Sequence, residues 1–194
     1  MYKILSILFI SIILLYHPFI AQNKALGIYL SANDFMKNKL SYSTFKNQNC
    51  IHIHELIYQG FITIKTHKQK LKLSKDSLFG FKDKSGQLYR FYKNSTYVII
   101  NPNDSIVFYS QTKLGDLKHN QPETHYYFSR HINSPIIELS LNNIKREFKN
   151  DTLFYDAITV QFKDNESLLY YDTFKQQYQI NYLYNQYINH ENKK

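Results

Sequence analysis

Residues 78–111 constrain the fold most, because short runs of β-forming residues alternate there with turn sequences. The runs are rich in Tyr, Phe, Val and Ile, which favour a pleated, half-buried surface. Connections of only a few residues allow antiparallel hairpins, whereas a parallel crossover needs about a dozen residues or more. The stretch therefore predicts an antiparallel β-meander, with strands at 88–92, 97–100 and 106–109.

Turn residues and side-chain alternation define this meander further. Gly86 and Asn94 suit tight turns, Gly86 at a position with positive φ, and Pro102 can begin a turn with its fixed φ. Successive side chains of a strand point to opposite faces, so Tyr89 and Phe91 share one face. The opposite face carries Leu88, Arg90 and Tyr92. Large rings on both faces predict a sheet that is covered on one side and partly shielded on the other.

Strand-like runs flank the meander on both sides. The alternating segment 49–73 contains three candidate strands, which we expect to extend the same sheet: 50–56, 61–66 and 71–73. Downstream, the aromatic run 124–130 predicts a strand that is buried on both sides. Residues 136–139 predict a short extended piece.

Helical periodicity begins after residue 139, where the apolar period changes from two to three or four. Ser140 can cap a first helix, and further helices are predicted at 152–161 and 166–188. The last of them carries an aromatic stripe that we expect to pack on the sheet, formed by Phe174, Tyr178 and Tyr182. A short helix capped by Ser31 is expected near the N-terminus.

The order of these elements predicts the fold class. A run of strands followed by a run of helices indicates an α+β fold. We expect an antiparallel β-meander sheet of about six to eight strands, followed by two or three C-terminal α-helices. Residues 22–194 are predicted to form a single α+β domain, with 45–138 mainly β and 140–190 mainly α.

The first 21 residues have the layout of a secretory signal peptide. Lys3 provides the positive flank, residues 4–16 are apolar, and Ala21 is a small residue at the expected cleavage site. The apolar run is shorter than the 18 or more residues expected of a spanning helix. The sequence thus predicts cleavage after Ala21, no membrane span thereafter, and export to the periplasm or the cell exterior. Phe19 departs from the small-x-small rule, and an anchored periplasmic domain is the alternative.

Composition narrows the possible partners and the means of stabilisation. The chain has 24 basic and 15 acidic residues, a net charge of +9, yet its lysines are scattered and it contains no nucleic-acid-binding motif. Nucleic acid is therefore not expected as a partner. Cys50 is the only cysteine, so an internal disulfide is impossible and an exported domain has to be held by its hydrophobic core.

A possible metal site lies in the segment around Cys50. Cys50, His52 and His54 alternate, which on a strand directs all three side chains to one face. Thiolate and imidazole are good ligands for zinc or copper. Since no fourth ligand is indicated, a half-exposed strand with a histidine-bearing face is the favoured interpretation, and no cofactor is predicted.

A possible acid–base site surrounds the predicted strand 124–130. His125 and His131 flank it together with Arg130, and Asp116 and Glu123 lie in the preceding loop. These residue types can support hydrolysis, but no nucleophile elbow, HExxH motif or glycine-rich phosphate loop accompanies them. Structural histidines are the simpler interpretation. The 18 tyrosines likewise suggest a sugar-stacking face, although aromatic residues on strands more often belong to a core.

Four segments carry a resemblance to other proteins: GIYLSANDF, LFGFKDKSGQLYRFYKNSTYVIINP, YYFSRHINSPIIELSLNNIKREF and YDTFKQQYQINYLY. On these segments the chain resembles a group of uncharacterised secreted proteins of Bacteroidetes-type bacteria. The group has no established activity, cofactor or catalytic residues, so the resemblance implies no function. The leading hypothesis is a secreted or periplasmic, non-enzymatic protein that binds a protein or an envelope component. The alternative is a small hydrolase of envelope or host polymers that uses His125 or His131.

Overall fold

The computed structural model describes residues 26–44, 50–53, 60–65, 69–113 and 121–191. These residues confirm the α+β fold class, with a mainly antiparallel sheet followed by C-terminal helices. The strands are β1 (Gly27–Tyr29), β2 (Tyr42–Ser43), β3 (Cys50–His52), β4 (Phe61–Lys65), β5 (Lys70–Ser74), β6 (Gly80–Lys82), β7 (Leu88–Tyr92), β8 (Ser95–Ile99), β9 (Val107–Lys113), β10 (Glu123–Ser129), β11 (Ile137–Glu138), β12 (Tyr171–Asp172) and β13 (Gln177–Tyr178).

The main sheet has eight antiparallel strands in the order β11-β10-β9-β8-β7-β6-β1-β2. Its centre is the predicted meander, in which β6, β7, β8, β9 and β10 pair consecutively, with short turns between β6 and β7 and between β7 and β8. Gly86 has φ 96° and Asn94 has φ 61°, so both turn residues adopt the left-handed region. The residue order along the meander therefore determined both the strand partners and the turns between them.

The three strands upstream of the meander form a sheet of their own, in the order β3-β4-β5. The expectation that 50–56, 61–66 and 71–73 would extend the meander sheet was wrong. Instead, the buried residues Ile62 and Ile64 pack face to face against the main sheet, against Ile28, Phe81 and Phe91. Apolar area removed from water is greater when the two sheets stack than when they join edge to edge, because a sheet has an apolar face to cover.

The helices are α1 (Ala32–Met36), α2 (Leu141–Glu147), α3 (Thr152–Gln161) and α4 (Gln179–Glu191), and short 3-10 turns span Lys75–Ser77 and Glu166–Leu169. The predicted caps are confirmed. The Ser31 hydroxyl accepts the N–H of Asp34 at 3.1 Å, and the Ser140 hydroxyl accepts the N–H of Asn143 at 3.2 Å. Each cap satisfies one of the backbone N–H groups that a helix leaves without an intrahelical partner.

The predicted long helix at 166–188 was wrong, because a β-hairpin of β12 and β13 interrupts it. In the turn, Asp172 Oδ1 accepts the N–H groups of Phe174 and Lys175, each at 3.0 Å. Gln176 then adopts φ 53°, which a helix does not allow. Hydrogen bonds from the backbone to the Asp172 side chain thus stabilise a turn in place of the helix, as is common for Asp.

The hairpin divides the predicted aromatic stripe. Phe174 lies at the tip and is 99% exposed, so it does not pack on the sheet. Tyr178 does, because its ring meets that of Phe108 edge-on at 5.0 Å, and Tyr182 is half-buried. The packing predicted for the stripe is therefore right at Tyr178 and wrong at Phe174.

The main sheet presents two faces of different chemistry. One, here called the phenylalanine face, carries Phe81 and Phe91 beneath the three-stranded sheet, and Phe108 and Phe128 beneath the C-terminal helices. The other, here called the tyrosine face, packs against α1 and the segment after β10. Its residues on the strands include Tyr29, Arg90, Tyr97 and Tyr109.

Candidate functional site

A buried arginine organises the tyrosine face. The Arg90 side chain extends from β7, is 5% exposed, and lies 5.5–5.7 Å from the ring centroids of Phe79, Tyr92 and Tyr109. Its two terminal nitrogens donate to the Tyr109 hydroxyl at 2.9 Å and to the Ser134 carbonyl at 2.8 Å. Because a buried cation is costly unless it is solvated by the protein, these rings and oxygens replace its lost hydration.

A hydrogen-bond chain continues from this arginine across the sheet. The hydroxyl of Tyr109 on β9 lies 2.8 Å from that of Ser129 on β10, and the Ser129 hydroxyl donates to the carbonyl of His131 at 2.6 Å. Burial raises the pKa of Tyr109, against the opposing effects of the Arg90 charge and of the hydrogen bonds that its hydroxyl makes with Ser129 and Arg90. The chain fixes the segment that follows β10, including His131, relative to three strands.

An open cleft of about 700 Å³ lies at the edge of the tyrosine face. Four chain segments border it: α1 with the residues after it, the turn between β6 and β7, the turn 102–105, and the segment that follows β10. Its volume lies within the range of about 300–1,000 Å³ that is typical of ligand pockets. The residues lining it are Tyr29, Phe35, Met36, Asn38, Lys82, Gly86, Leu88, Pro102, Asn103, Asp104, Ser105, His131 and Ile132.

The cleft has an apolar floor and a polar rim. Tyr29 and Phe35 meet edge-on at 5.2 Å in the buried core below, and Met36 remains 62% exposed at the side. The rim carries two basic side chains, Lys82 and His131, and the carboxylate of Asp104. A ligand with an apolar body and a few polar groups matches this distribution, since pockets bury the body and orient it through scattered polar contacts.

The walls of the cleft are fixed by side-chain hydrogen bonds. The Tyr29 hydroxyl donates to Asn38 Oδ1 at 2.9 Å, which ties the residues after α1 to the sheet. Asn101 donates to Asp104 Oδ2 at 2.7 Å and to the Ile106 carbonyl at 2.9 Å, and it accepts the N–H of Phe108. The turn 102–105 is therefore held on both sides, and the cleft is pre-formed.

The two histidines of the hypothetical acid–base site lie apart. His131 lines the cleft together with Asp104, whereas His125 lies near the other end of β10, with Nε2 3.5 Å from Glu123 Oε2. Glu123 is 76% exposed, so this pair is open to solvent. Arg130 turns to the helices instead: it donates to Asp151 Oδ2 and to the Glu147 carbonyl, each at 2.8 Å. Asp116 lies outside the described residues.

The hypothetical metal ligands do not form a cluster within the described part of the chain. His52 is exposed on β3, and His54 lies outside the described residues. Among residues 26–44, 50–53, 60–65, 69–113 and 121–191, no group of three or more His, Cys, Asp or Glu side chains is placed to hold a metal ion. The pairing of Cys50 with Lys65 and of His52 with Thr63 confirms only that this segment is a strand.

Sequence reasoning missed Arg90, Asn101 and Asp104 as parts of this region. One pattern could have indicated Arg90, because a basic residue alternating with Leu88 and Tyr92 belongs to a face of large side chains. Such a residue is buried only when neighbouring groups solvate its charge. No pattern indicates Asn101 or Asp104, since Asn and Asp are equally typical of exposed turns.

Comparisons with protein-family models, curated proteins and solved structures found no match to this chain. Where the chain is described, its helices are all too short or too polar to cross a membrane.

Proposed function

We propose that this protein is an exported, non-enzymatic binding protein, and that its partner is a protein or envelope component that places an apolar group in the cleft. The pre-formed cleft of about 700 Å³ is the observation that carries this proposal. Its apolar floor offers burial, which is the main favourable term in association. The polar groups at its rim can orient the partner through hydrogen bonds and charge.

The rigidity of the walls favours binding over a purely structural surface. Hydrogen bonds from Tyr29 and Asn101 hold two of the four bordering segments, and the Arg90 chain holds a third. A pre-organised site loses little conformational entropy when a partner enters, so more of the interaction free energy appears as affinity.

Site-specific photo-crosslinking in the producing cells tests the proposal. A photoreactive phenylalanine analogue replaces Met36, which is 62% exposed and lines the cleft, and in a matched strain it replaces Val160, which is 74% exposed on α3. We expect one defined product from position 36 and none from position 160. Ile132→Asp, which places a charge among the apolar residues that line the cleft, is expected to abolish that product. Equal labelling from both positions, or a product that survives Ile132→Asp, contradicts the proposal.

The second candidate is a hydrolase of envelope or host polymers, and the presence of His131 and Asp104 in the lining of the same cleft favours it. An imidazole that lines a cleft can act as a general base on water. Zymography on peptidoglycan and on host polysaccharides, with His131→Ala as the matched variant, tests this function. Cleavage that disappears in His131→Ala supports the hydrolase and contradicts the non-enzymatic proposal.

A further inference from the structure

The β12–β13 hairpin exposes aromatic side chains that the fold leaves uncovered. Phe174 at its tip is 99% exposed, whereas every other phenylalanine among the described residues is buried or half-buried. Tyr170 and Tyr171, just before the tip, are 60% and 41% exposed. Single apolar residues scattered over a surface are normal, but several exposed rings in one hairpin indicate an interaction site.

The hairpin is rigid, so Phe174 is presented in one place. Asp172 Oδ1 accepts the backbone N–H groups of Phe174 and of the residue after it, each at 3.0 Å. Below the tip, the ring of Tyr178 meets that of Tyr171 at 5.2 Å and that of Phe108 at 5.0 Å, both edge-on. A ring on a fixed turn loses little conformational entropy when it enters a partner.

The cleft provides the kind of cover that this ring lacks. Phe35, Met36 and Ile132 are among the apolar side chains that line it. Met36 is 62% exposed, and a flexible thioether adapts to an aromatic ring and makes favourable contacts with it. The volume of about 700 Å³ is larger than one phenylalanine side chain, so the cleft has room for the ring together with its turn.

The local charges do not oppose contact between the tip and the cleft. Lys175 Nζ lies 3.1 Å from Asp172 Oδ2, so the cation next to Phe174 is already paired. The rim of the cleft carries both signs, with the carboxylate of Asp104 and two basic side chains. The chain as a whole is basic, so two copies repel at long range, and added salt is expected to strengthen their association by screening that repulsion.

The tip and the cleft of one chain lie apart. The hairpin packs over the phenylalanine face through Tyr178 and Phe108, whereas the cleft lies at the edge of the tyrosine face. Hydrogen bonds fix both regions, and Phe174 is not among the residues that line its own cleft. If this chain supplies the ring that enters the cleft, the ring therefore comes from another copy.

We propose that the partner bound in the cleft is a second copy of this chain, which inserts Phe174 of its β12–β13 hairpin. This inference rests on the proposed function of the cleft and names its partner. The contact joins two different surfaces of the chain and is thus heterologous. One inserted ring makes a small interface, so we expect a Kd on the order of 100 µM. At low micromolar concentration the chain is then monomeric and the tip is exposed.

Fluorescence titration of a single-tryptophan variant tests the proposal. The chain contains no tryptophan, so the emission of Phe174→Trp reports the surroundings of the tip, and the wild-type protein is a silent titrant. We expect the wild-type protein to move this emission saturably to shorter wavelength, because the indole leaves water when it enters the cleft. Emission that remains that of an exposed indole at about tenfold the expected Kd overturns the proposal.

Variants of the silent titrant locate the contact. Met36→Asp places a charge in the cleft at an exposed position, and we expect it to weaken the association by at least about tenfold. Val160→Asp, the same change at a position of α3 that is 74% exposed, is expected to act like the wild type. Phe174→Ala keeps the cleft and is expected to shift the emission at least as strongly. Equal responses to Met36→Asp and to the wild type refute the assignment to the cleft.

The photo-crosslinked product from position 36 separates this inference from the proposed function. A product with the mass of two chains, which disappears when Phe174→Ala is added, supports the second copy. A product that contains a different protein overturns the second copy and leaves the proposed function standing. The absence of any product contradicts both.

Discussion

The two faces of the main sheet differ in how their side chains are covered. Over the phenylalanine face, Phe148 at the end of α2 and Phe154 of α3 meet edge-on at 4.8 Å, and both are 0% exposed. On the tyrosine face, the buried Arg90 and its hydrogen-bond chain occupy the centre, and an open cleft lies at the edge. The helix-covered part of the first face is a core rich in aromatic rings, whereas the tyrosine face contains a buried charged group that requires partners.

This difference indicates that the two faces contribute differently, one mainly to stability and the other to a defined geometry around the cleft. Apolar rings stabilise wherever they are enclosed and require no particular partner. Polar groups inside a fold stabilise it only when each is satisfied, so they specify one arrangement. The helix-covered region therefore supplies stability, and the tyrosine face supplies a defined geometry around the cleft.

The largest effect is expected from the helix-covered core. Phe154→Ala empties a site enclosed by the rings of Phe148 and Tyr184, and we expect it to lower the free energy of unfolding by about 3–5 kcal/mol. Phe35→Ala, at the margin of the cleft and 9% exposed, is expected to cost less because its site already borders solvent. Urea unfolding of both variants measures the difference. Equal losses of unfolding free energy contradict the difference in cover between the two faces.

A smaller loss is expected from the buried arginine. Arg90→Met keeps much of the side-chain volume but leaves the Tyr109 hydroxyl and the Ser134 carbonyl without their donor, so we expect a loss of about 2–3 kcal/mol. Arg146→Met, at an exposed position of α2, is the matched control and is expected to change stability by less than about 0.5 kcal/mol. If Arg90→Met is as stable as the wild type, the hydrogen bonds of Arg90 do not contribute to the stability of the tyrosine face.

Alkaline pH is expected to destabilise the fold through the buried tyrosines of the tyrosine face. Burial raises the pKa of Tyr29, Tyr97 and Tyr109, all on the tyrosine face. A tyrosine in the unfolded chain ionises near pH 10, before the buried one does, so stability is complete below about pH 10 and is lost as the pH rises through the folded pKa. Tyr97→Phe is expected to reduce this loss, which urea unfolding at pH 7 and at pH 10.5 measures. If Tyr97→Phe loses as much stability between pH 7 and pH 10.5 as the wild type does, Tyr97 does not contribute to the alkaline loss.

The smallest effect is expected at the tip of the β12–β13 hairpin. Phe174 is 99% exposed and its side chain contributes no burial, so Phe174→Ala is expected to change the free energy of unfolding by less than about 0.5 kcal/mol. The same substitution at Phe154 is the comparison, since both residues belong to the C-terminal half of the chain. A large loss at Phe174 indicates that the tip is covered in solution, for example by a second copy.

The meander shows which features of the fold can be predicted from the sequence. Strand partners and turns in 88–113 followed from β-forming runs and from Gly86 and Asn94, because these contacts are local and each turn connects neighbours. The placement of 50–74 did not follow, since an edge-joined and a stacked sheet have the same alternation. Nor did the hairpin at 171–178, because Tyr171, Phe174 and Tyr178 also fit a helical stripe.

The candidate sites depended still more on tertiary structure. His131 was singled out from the sequence, and the fold places it in the cleft, but Asp104 joins it there from a turn 27 positions earlier. Sequence patterns report the period of one element, whereas a site is formed where several elements end.

The sequence by itself determined the α+β class, the antiparallel order of the central strands and the caps at Ser31 and Ser140. These features depend on alternation, turn chemistry and capping, which act over a few residues. Only the tertiary structure decided that the three-stranded sheet stacks, that Arg90 is solvated by rings and hydroxyls, and that an open cleft lies beside it. Those outcomes depend on which distant surfaces exclude water together, and that is a property of the whole packed chain.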